Sequence, residues 1–315
     1  MKLIIQIPCY NEQETLSIAV KELPRKVDGF DTVEFLIIND GSTDNTVEVA
    51  KECGVHHIVS FKKNQGLAKG FMAGIDACLK LGADVIVNTD ADNQYDAKDI
   101  PKLVKPVLDG QSDLVIGERP IFNTEHFSLQ KKILQKIGSW TVRVASNSSI
   151  PDAPSGFRAI SRIAAMKLNV YNDYTYTLET IIQAGRTGIA MSSVKIGTNE
   201  DLRPSKLVKS IPKYIKHSIH TIFKVFIIYK PYQTFFRIGM LFFLSGIAIG
   251  IRWLYFYYIL EHTRTHLPSL IFASILFIVG VFSSMLAIIS DLLSVNRKLL
   301  EDIQFRIKEI EMDKH

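Results

Sequence analysis

The chain has 315 residues, 47% of them hydrophobic, and a formal net charge of +5, and its length favours two structural units over one. Its apolar residues are unevenly placed. Short apolar runs alternate with polar stretches up to about residue 196, whereas residues 235–289 are nearly continuous hydrocarbon. The first part can bury a soluble core of ordinary size, and the second part excludes a wholly soluble protein.

The positive charge favours a membrane surface over a nucleic acid, although either anionic partner attracts a basic protein. Many of the basic side chains stand directly before the apolar region, namely Lys206, Lys209, Lys213, Lys216, Lys224, Lys230 and Arg237. The sequence has no basic groove with interleaved aromatic residues and no nucleic-acid-binding motif. We therefore expect a bilayer, and no nucleic acid, as a partner.

Cysteine usage and the N-terminus indicate an intracellular domain. Cys9, Cys53 and Cys78 are far apart and lack CxxC spacing, which indicates neither a disulfide framework nor a zinc site. The N-terminal apolar run reads as a first strand and is too short for a signal peptide. We therefore expect the large domain to stay in the cytoplasm.

Strands and helices alternate along the first part of the chain. The predicted strands cover residues 3–8, 33–39, 58–61, 84–88 and 113–117. The predicted helices run from a turn at 10–12 to about 26, from an N-cap at Thr43 to 53, over 66–80, and over about 98–108. This alternation predicts an α/β domain with a mainly parallel, doubly wound sheet. Ligands bind outside the carboxyl ends of the strands in such sheets, and the polar motifs of this chain all fall at those ends.

Two apolar stretches near the C-terminus, 235–258 and 269–289, each reach the ~20 residues that cross a bilayer. Basic residues are frequent before the first stretch and after the second, whereas only Arg264 lies between them. Lys and Arg collect on the cytoplasmic side of membrane proteins. We therefore expect both ends of this hairpin in the cytoplasm.

Four segments follow from these patterns: a soluble α/β domain (1–204), a juxtamembrane amphipathic segment (205–233), two transmembrane helices (234–290) and a charged cytoplasmic helix (291–315). The second segment can lie in the bilayer surface, or it can pack on the soluble domain as an ordinary amphipathic helix. The last segment carries Leu and Ile at helical spacing among its charges, so it is either solvated or self-associating.

Asp90 and Asp92 carry the strongest chemical signal. They flank Ala91 directly after a predicted strand, and Asn93 and Gln94 follow. Two carboxylates one residue apart can hold a hard divalent cation whose shell is completed by waters and phosphates. Such a cation neutralises a diphosphate leaving group. An Asp-x-Asp pair alone is also common in surface turns.

Two further polar turns follow strand ends. Residues 39–44 read Asn-Asp-Gly-Ser-Thr-Asp, in which Asp40 can accept hydrogen bonds from a base or a ribose; the alternative is a turn with a helix cap. Residues 64–70 place a helix N-terminus and Lys69 where they can face a phosphate. Neither a GxxxxGK[ST] loop nor a GxGxxG turn is present, which argues against a P-loop NTPase and a nicotinamide-binding domain.

Taken in order, these motifs resemble the family 2 glycosyltransferases, which have the GT-A fold, from the N-terminus to about residue 200. Four segments carry the resemblance: Ile7–Glu12, Asn39–Asp44, Asn64–Gly66 and Asp90–Asp92. Within that family the chain is most similar to the polyprenyl-phosphate sugar transferases, such as dolichol-phosphate mannose synthase and the bacterial polyprenyl-phosphate glucosyltransferases. Three matches carry this narrower likeness: Gln94, Asp152–Arg158 and Arg203–Lys206. The two-span hairpin also matches some members of the group.

The resemblance implies roles for individual residues. A nucleotide pocket would be lined by Pro8, Tyr10, Glu12, Asp40, Lys69 and Asp90. Mg²⁺ or Mn²⁺ would be held by Asp90, Asp92 and Gln94. The acceptor phosphate would meet members of a polar set, namely Arg119, Arg158, Arg203, Ser205 and Lys206. Asp152 and Glu179 are the two candidates for orienting the acceptor or acting as base, and the sequence does not decide between them.

The resemblance also implies a reaction, the inverting transfer of a sugar from a UDP- or GDP-linked donor to undecaprenyl or dolichyl phosphate at the cytoplasmic membrane face. The second pKa of a phosphate monoester is near 6, so the acceptor is largely a dianion at neutral pH and needs little base catalysis. The enzyme mainly has to position and neutralise two anions. Members of this group can assemble through their spans, so a homo-oligomer is among the expected assemblies.

Other functions fit the sequence less well. A growing polysaccharide or a glycolipid is the alternative acceptor, but processive synthases carry more spans and a Gln-x-x-Arg-Trp motif, and residues 233–237 contain no Trp. A sugar nucleotidyltransferase would need a Gly-rich activation loop that is missing. A membrane scaffold with an inactive transferase domain is disfavoured by the intact Asp90, Asp92 and Gln94.

Overall fold

The computed structural model describes residues 1–120, 139–199 except 141, 145 and 171–175, 226–259 except 228, and 267–312. The chain forms two compact units. One consists of Met1–Ser218 together with Asp302–His315, and the other consists of Ile219–Glu301. The last turns of the C-terminal helix thus belong to the same unit as the N-terminal α/β domain, which the sequence did not indicate.

A seven-stranded sheet forms the centre of the first unit, in the order β3-β2-β1-β4-β6-β5-β7. Its strands are β1 (Lys2–Cys9), β2 (Thr32–Asn39), β3 (His57–Ser60), β4 (Val85–Asn88), β5 (Leu114–Glu118), β6 (Arg158–Ser161) and β7 (Met191–Lys195). All neighbouring pairs are parallel except those of β6, which runs antiparallel to β4 and to β5. The predicted mainly parallel sheet is therefore confirmed, with one reversed strand that the sequence did not reveal.

The central strands are buried on both faces. Leu3, Ile4 and Ile5 on β1 have no exposed surface, and neither do Leu36 and Ile37 on β2. Continuous apolar runs of this kind are typical of parallel strands that are covered by helices on each side. Most polar residues of these strands therefore stand at the strand ends, where the predicted motifs lie.

Six α-helices cover the described part of the sheet: α1 (Leu16–Glu22), α2 (Thr46–Glu52), α3 (Leu67–Lys80), α4 (Ile100–Leu108, preceded by a 3₁₀ turn over Ala97–Asp99), α5 (Arg162–Lys167) and α6 (Thr177–Thr187). The first helix ends earlier than the prediction of about residue 26. Leu23 is already extended, with φ −65° and ψ 136°. Pro24 follows it, and a proline disfavours the helical conformation of the preceding residue.

Two long helices, α7 (Pro231–Ile259) and α8 (Leu267–Met312), are each long and apolar enough to span a membrane. Their large apolar side chains are mostly exposed, as at Leu241 and Phe282, whereas the core helix of a soluble protein would bury them. Glycine lets the two helices approach closely, because a Cβ at Gly280 would lie 2.8 Å from the backbone nitrogen of Phe243. Their positions agree with the two spans predicted from the sequence.

Candidate active site

The carboxyl ends of β1, β2 and β4 meet at one edge of the sheet. These strands are parallel neighbours, and the register pairs Cys9 with Asn39 at the ends of β1 and β2. The three motif segments that follow the strands, 10–12, 40–44 and 90–94, therefore begin side by side. This edge is where an open parallel sheet binds its ligands.

Asp40 holds the loop that leads into α3. Its carboxylate is buried and accepts hydrogen bonds from the backbone nitrogens of Gln65 at 2.7 Å and Gly66 at 2.9 Å. Gly41 has φ +69°, and a Cβ there would lie 2.6 Å from the carbonyl carbon of Lys63, so this turn requires glycine. Asp40 therefore shapes the loop, and its contact with a base or ribose stays a prediction.

The remaining residues of the predicted nucleotide pocket border the same edge. Tyr10 and Lys69 are exposed, and Pro8 and Glu12 are half-buried. The backbone nitrogen of Glu12 donates to Oγ1 of Thr46 at 2.9 Å, which joins the loop after β1 to the turn after β2. A fixed backbone with exposed side chains suits ligand contact, and the nucleotide contacts themselves stay predictions.

Asp90 and Asp92 concentrate negative charge at the end of β4. Burial, and secondly the charge of Asp92, raise the pKa of Asp90 to about 7. A nearby cation would favour the charged form of both carboxylates and so relieve this cost. The backbone nitrogen of Gln94 donates to Oδ1 of Asp92 at 3.3 Å, which closes the turn between them.

The donor set fits Mg²⁺ or Mn²⁺, because two carboxylates and the Gln94 side chain offer oxygen atoms to a hard cation. In the ranges that the structure describes, no three His, Cys, Asp or Glu side chains come together to hold a metal by themselves. A cation at Asp90 and Asp92 would therefore draw further ligands from phosphate or water. Gly156 lets the backbone pass close to this pair, since a Cβ there would lie 3.0 Å from Oδ2 of Asp90.

The predicted acceptor segment, residues 152–158, lies directly against Asp90. The backbone nitrogen of Gly156 donates to the hydroxyl oxygen of Tyr95 at 2.8 Å, and the Tyr95 hydroxyl is in turn hydrogen-bonded to the Asp90 carboxylate. The ring of Tyr95 also stacks on Phe157, with ring centroids 5.1 Å apart. The fold thus brings together two motifs that are separated by about sixty residues in the sequence.

Sequence reasoning missed a buried polar set behind Asp90. Asn88 has no exposed surface, and its amide nitrogen donates to the carbonyl oxygen of Gly156 and to the hydroxyl of Tyr176, each at 2.9 Å. Its amide oxygen accepts from Nε2 of Gln6 at 2.9 Å. The Tyr176 ring stacks on Phe71 at 4.0 Å. Polar residues in two otherwise apolar strands were the available signal, because buried amides are retained with hydrogen-bond partners.

Arg119 and Asp152 form a bidentate ion pair. Nε of Arg119 lies 2.8 Å from Oδ2 of Asp152 and Nη2 lies 3.0 Å from Oδ1, and the Asp152 side chain is 1% exposed. One guanidinium thus engages both carboxylate oxygens. This geometry fixes the direction of the Arg119 side chain and favours an orienting role for Asp152 over the role of base.

Arg158 occupies a setting that differs from the predicted phosphate contact. Its side chain has no exposed surface. Nε donates to the carbonyl oxygen of Ser155 at 2.9 Å, Nη2 donates to those of Ala153 at 2.9 Å and Thr177 at 2.8 Å, and Nη1 bonds the Thr180 hydroxyl. The guanidinium therefore clamps the acceptor segment to the start of α6, and we replace its predicted phosphate contact with this structural role.

The other predicted acceptor and catalytic residues divide into two groups. Glu179 is buried in the first turn of α6, and its role as base stays a prediction. Arg203, Ser205 and Lys206 lie outside the described residues. Most of the predicted juxtamembrane segment, 205–233, lies outside them as well.

Known sugar transferases resemble this chain in sequence. The UDP-N-acetylglucosamine–dolichyl-phosphate N-acetylglucosaminyltransferase of Methanococcus voltae is 28% identical over 214 residues, which cover 61% of this chain and 83% of the relative. The polyprenol monophosphomannose synthase of Mycolicibacterium smegmatis is 27% identical over 216 residues, which cover 65% and 80% of the two chains.

A solved structure matches the fold. Glucosyl-3-phosphoglycerate synthase from Mycobacterium tuberculosis, in complex with Mn²⁺, uridine diphosphate and glucosyl-3-phosphoglycerate, aligns with a TM-score of 0.54 at 18% identity. The alignment covers 72% of this chain and 78% of that one. The family model described as glycosyl transferase family 2 matches residues 4–168, which contain the sheet edge and the Asp90–Asp92 pair. The chain is a glycosyltransferase that belongs to glycosyl transferase family 2.

Proposed function

We propose that the chain is a metal-dependent, inverting glycosyltransferase that moves a sugar from a UDP- or GDP-linked donor to a polyprenyl phosphate, undecaprenyl or dolichyl, at the cytoplasmic membrane face. The observation that carries the proposal is the close approach of Gly156 to the Asp90 carboxylate, which the Tyr95 hydroxyl bridges by hydrogen bonds to both. The predicted acceptor segment therefore lies beside the pair of carboxylates that, with a bound cation, would suit a donor diphosphate. The two relatives described above, whose names refer to dolichyl phosphate and to polyprenol monophosphate, support the acceptor class.

Asp90, Asp92 and Gln94 would hold Mg²⁺ or Mn²⁺, which supplies charge neutralisation for the departing nucleoside diphosphate. The Mn²⁺ and uridine diphosphate in the matched solved structure support this choice. The raised pKa of Asp90 supports it too. Burial and the charge of Asp92 make the ionised Asp90 carboxylate unfavourable, and a bound cation would stabilise that ionised form.

The protein's own residues would mainly orient and neutralise the acceptor. A phosphate monoester is already largely a dianion at neutral pH because its second pKa is near 6. The bidentate ion pair with Asp152 holds Arg119 in one direction, so that the guanidinium N–H groups not used in this pair can face an anion. Arg203, Ser205 and Lys206 are proposed to add further donors. Removal of a proton from the acceptor is then a minor part of catalysis, whether or not Glu179 takes part.

The two long helices are proposed to anchor the domain in a membrane, with both termini on the cytoplasmic side. The apolar side chains that α7 and α8 expose support the membrane anchor. The basic flanks of the two spans, with only Arg264 between them, support the orientation. A polyprenyl carrier stays in the bilayer, so an anchored transferase meets its acceptor without leaving the membrane surface.

The test is incubation of membranes that contain the chain with a panel of nucleotide sugars and a polyprenyl phosphate. We expect one sugar-linked lipid whose formation needs added Mn²⁺ or Mg²⁺. Asp92→Ala should abolish the product while the protein stays folded in the membrane, and Asp109→Ala, at an exposed helix end, should leave it unchanged. Failure of every donor to label the lipid would overturn the acceptor assignment, and full activity of Asp92→Ala would overturn the metal site.

A further inference from the structure

The C-terminal part of α8 exposes an apolar stripe in a charged segment. Its charged side chains, which make it unfit for a bilayer core, are Arg297, Lys298, Glu301, Asp302, Arg306, Lys308, Glu309 and Glu311. Leu300, Ile303, Ile307 and Ile310 are nevertheless 63%, 53%, 51% and 57% exposed. Branched aliphatic side chains left in water at regular spacing indicate a surface that another molecule covers.

The stripe has the spacing of a coiled coil. Its members are separated by three, four and three residues, and the same alternation continues towards the N-terminus through Asn296, Leu293, Ile289 and Leu286. These exposed residues occupy the a and d positions of a heptad repeat, with Leu300 and Ile307 at a and Ile303 and Ile310 at d. A 3.5-residue repeat of this kind is the pattern by which one helix packs along another.

The opposite face of the same turns is already engaged. Nζ of Lys308 lies 3.5 Å from Oδ1 of Asp76 on α3, and its side chain is 12% exposed. Nζ of Lys167, at the end of α5, lies 5.6 Å from the centre of the Phe305 ring. These contacts fall within the first unit. One face of the helix end therefore packs on the transferase domain, and the heptad stripe points away from the part of the chain that the structure describes.

We propose that this stripe joins copies of the chain into a parallel coiled coil, formed by the end of α8 outside the bilayer. Copies inserted in a membrane with the same orientation present their C-terminal helices in parallel. In a parallel coiled coil, position g of one helix faces position e of the next heptad on its neighbour. Arg306 stands at g and Glu311 at e, so Arg306 of one copy meets Glu311 of the next with opposite charge.

The residue types at the stripe indicate more than two copies. Leu at a with Ile at d, and Ile at both positions, favour three- or four-stranded coiled coils over dimers. The pairs Leu300–Ile303 and Ile307–Ile310 follow these two patterns in turn. Asn296 occupies one d position, where amides from neighbouring copies can hydrogen-bond to each other and fix the register.

Cysteine cross-linking of the full chain in membranes tests both the contact and its direction. In a parallel, in-register assembly each Ile310 lies beside Ile310 of a neighbour, whereas Glu309 points outward. Mild oxidation should cross-link Ile310→Cys at least tenfold more than Glu309→Cys, and the parent chain with Cys9, Cys53 and Cys78 gives the background. Equal cross-linking of the two variants would overturn the proposal.

The mass of the detergent-solubilised chain, measured by light scattering, provides a second test. We expect roughly three or four times the chain mass of 35.5 kDa. Ile303→Ser/Ile307→Ser should reduce the assembly to single chains, while Lys298→Ser/Glu309→Ser should keep it. Arg306→Glu should weaken the assembly, and adding Glu311→Arg should restore it. A monomeric parent chain, as expected if the stripe lies on lipid, overturns the proposal, and so does an assembly that survives Ile303→Ser/Ile307→Ser. Neither test measures sugar transfer, so their outcome is independent of the proposed function.

Discussion

The amide nitrogen of Asn88 lies 2.9 Å from the carbonyl oxygen of Gly156 and donates a hydrogen bond to it. This bond ties the end of β4, two residues before Asp90, to the loop that carries the predicted acceptor segment. Gln6 and Tyr176 complete the set from a neighbouring strand and from the start of α6. A buried amide that is not among the predicted site residues therefore helps to fix the relative position of the donor and acceptor motifs.

We expect Asn88→Ala to impair the site more than it impairs the fold. The substitution leaves the Gln6 amide nitrogen buried without a partner, at about 1–3 kcal/mol. The Gly156 carbonyl keeps only the longer hydrogen bond from the Tyr176 hydroxyl, at 3.5 Å. Because the Gly156 loop would shift relative to Asp90, the metal concentration for half-maximal transfer should rise along with a fall in kcat.

The measurement is a metal titration of sugar transfer, combined with thermal unfolding of the purified chain. Gln111→Ala, at an exposed position, is the control and should change neither quantity. If Asn88→Ala lowers only the unfolding temperature, while metal dependence and kcat per folded molecule stay at their original values, Asn88 has no positioning role.

The ion pair between Arg119 and Asp152 should behave as a unit. Removing one partner of a buried pair leaves the other uncompensated, at about 3–5 kcal/mol. We therefore expect Asp152→Asn and Arg119→Gln each to reduce transfer by at least ~100-fold, and the double variant to be no worse than either single one. A double-mutant cycle on kcat/KM measures this coupling.

The same variants separate an orienting role from base catalysis. If Asp152 orients Arg119, the pH profile of the residual activity in Asp152→Asn should keep the shape of the parent profile. Loss of the acidic limb of that profile, together with full activity in Arg119→Gln, would identify Asp152 as a base instead.

The sequence predicted the first five strands of the sheet but not β6. Apolar runs bounded by turns located β1 to β5, because strands covered on both faces must be apolar throughout. β6 was missed because its four residues begin at Arg158, and a charged residue ordinarily signals an exposed position. The reversed direction of β6 depends on pairing with β4 and β5, which no local pattern encodes.

The candidate site was likewise predicted only in part. Carboxylates and glycines at strand ends identified the edge around Asp40 and Asp90, since their chemistry is local. The buried settings of Arg158 and Asn88 depend on loops that come from far along the chain. The resemblance therefore implied a phosphate contact for Arg158, and no motif included Asn88.

Arg158→Lys should test the structural role of that arginine. A lysine ammonium cannot reach the carbonyls of Ser155, Ala153 and Thr177 at once, because it lacks the planar fork of a guanidinium. We expect a loss of about 3 kcal/mol from the broken buried hydrogen bonds, or roughly 6–12 °C in unfolding temperature for a domain of this size.

Two comparisons make this prediction specific. Arg237→Lys, at an exposed position on α7, should leave the unfolding temperature unchanged. The KM of Arg158→Lys for polyprenyl phosphate, measured at a temperature where the variant is folded, should equal that of the parent chain. A raised KM without loss of stability would return Arg158 to the role of phosphate ligand.

The close contact between α7 and α8 depends on Gly280. Gly250, on α7, is a suitable control position for the same substitution. A Cβ at Gly280 would lie 2.8 Å from the backbone nitrogen of Phe243 and 2.9 Å from the carbonyl oxygen of Gly239, whereas a Cβ at Gly250 would meet nothing within 4 Å. Backbone atoms cannot move aside as a flexible side chain can. Gly280→Leu must therefore separate the helices, at about 1–3 kcal/mol for overpacking, and Gly250→Leu should be tolerated. Thermal unfolding and protease resistance in detergent measure both variants, and equal stability of the two would show that close packing at Gly280 does not hold these helices together.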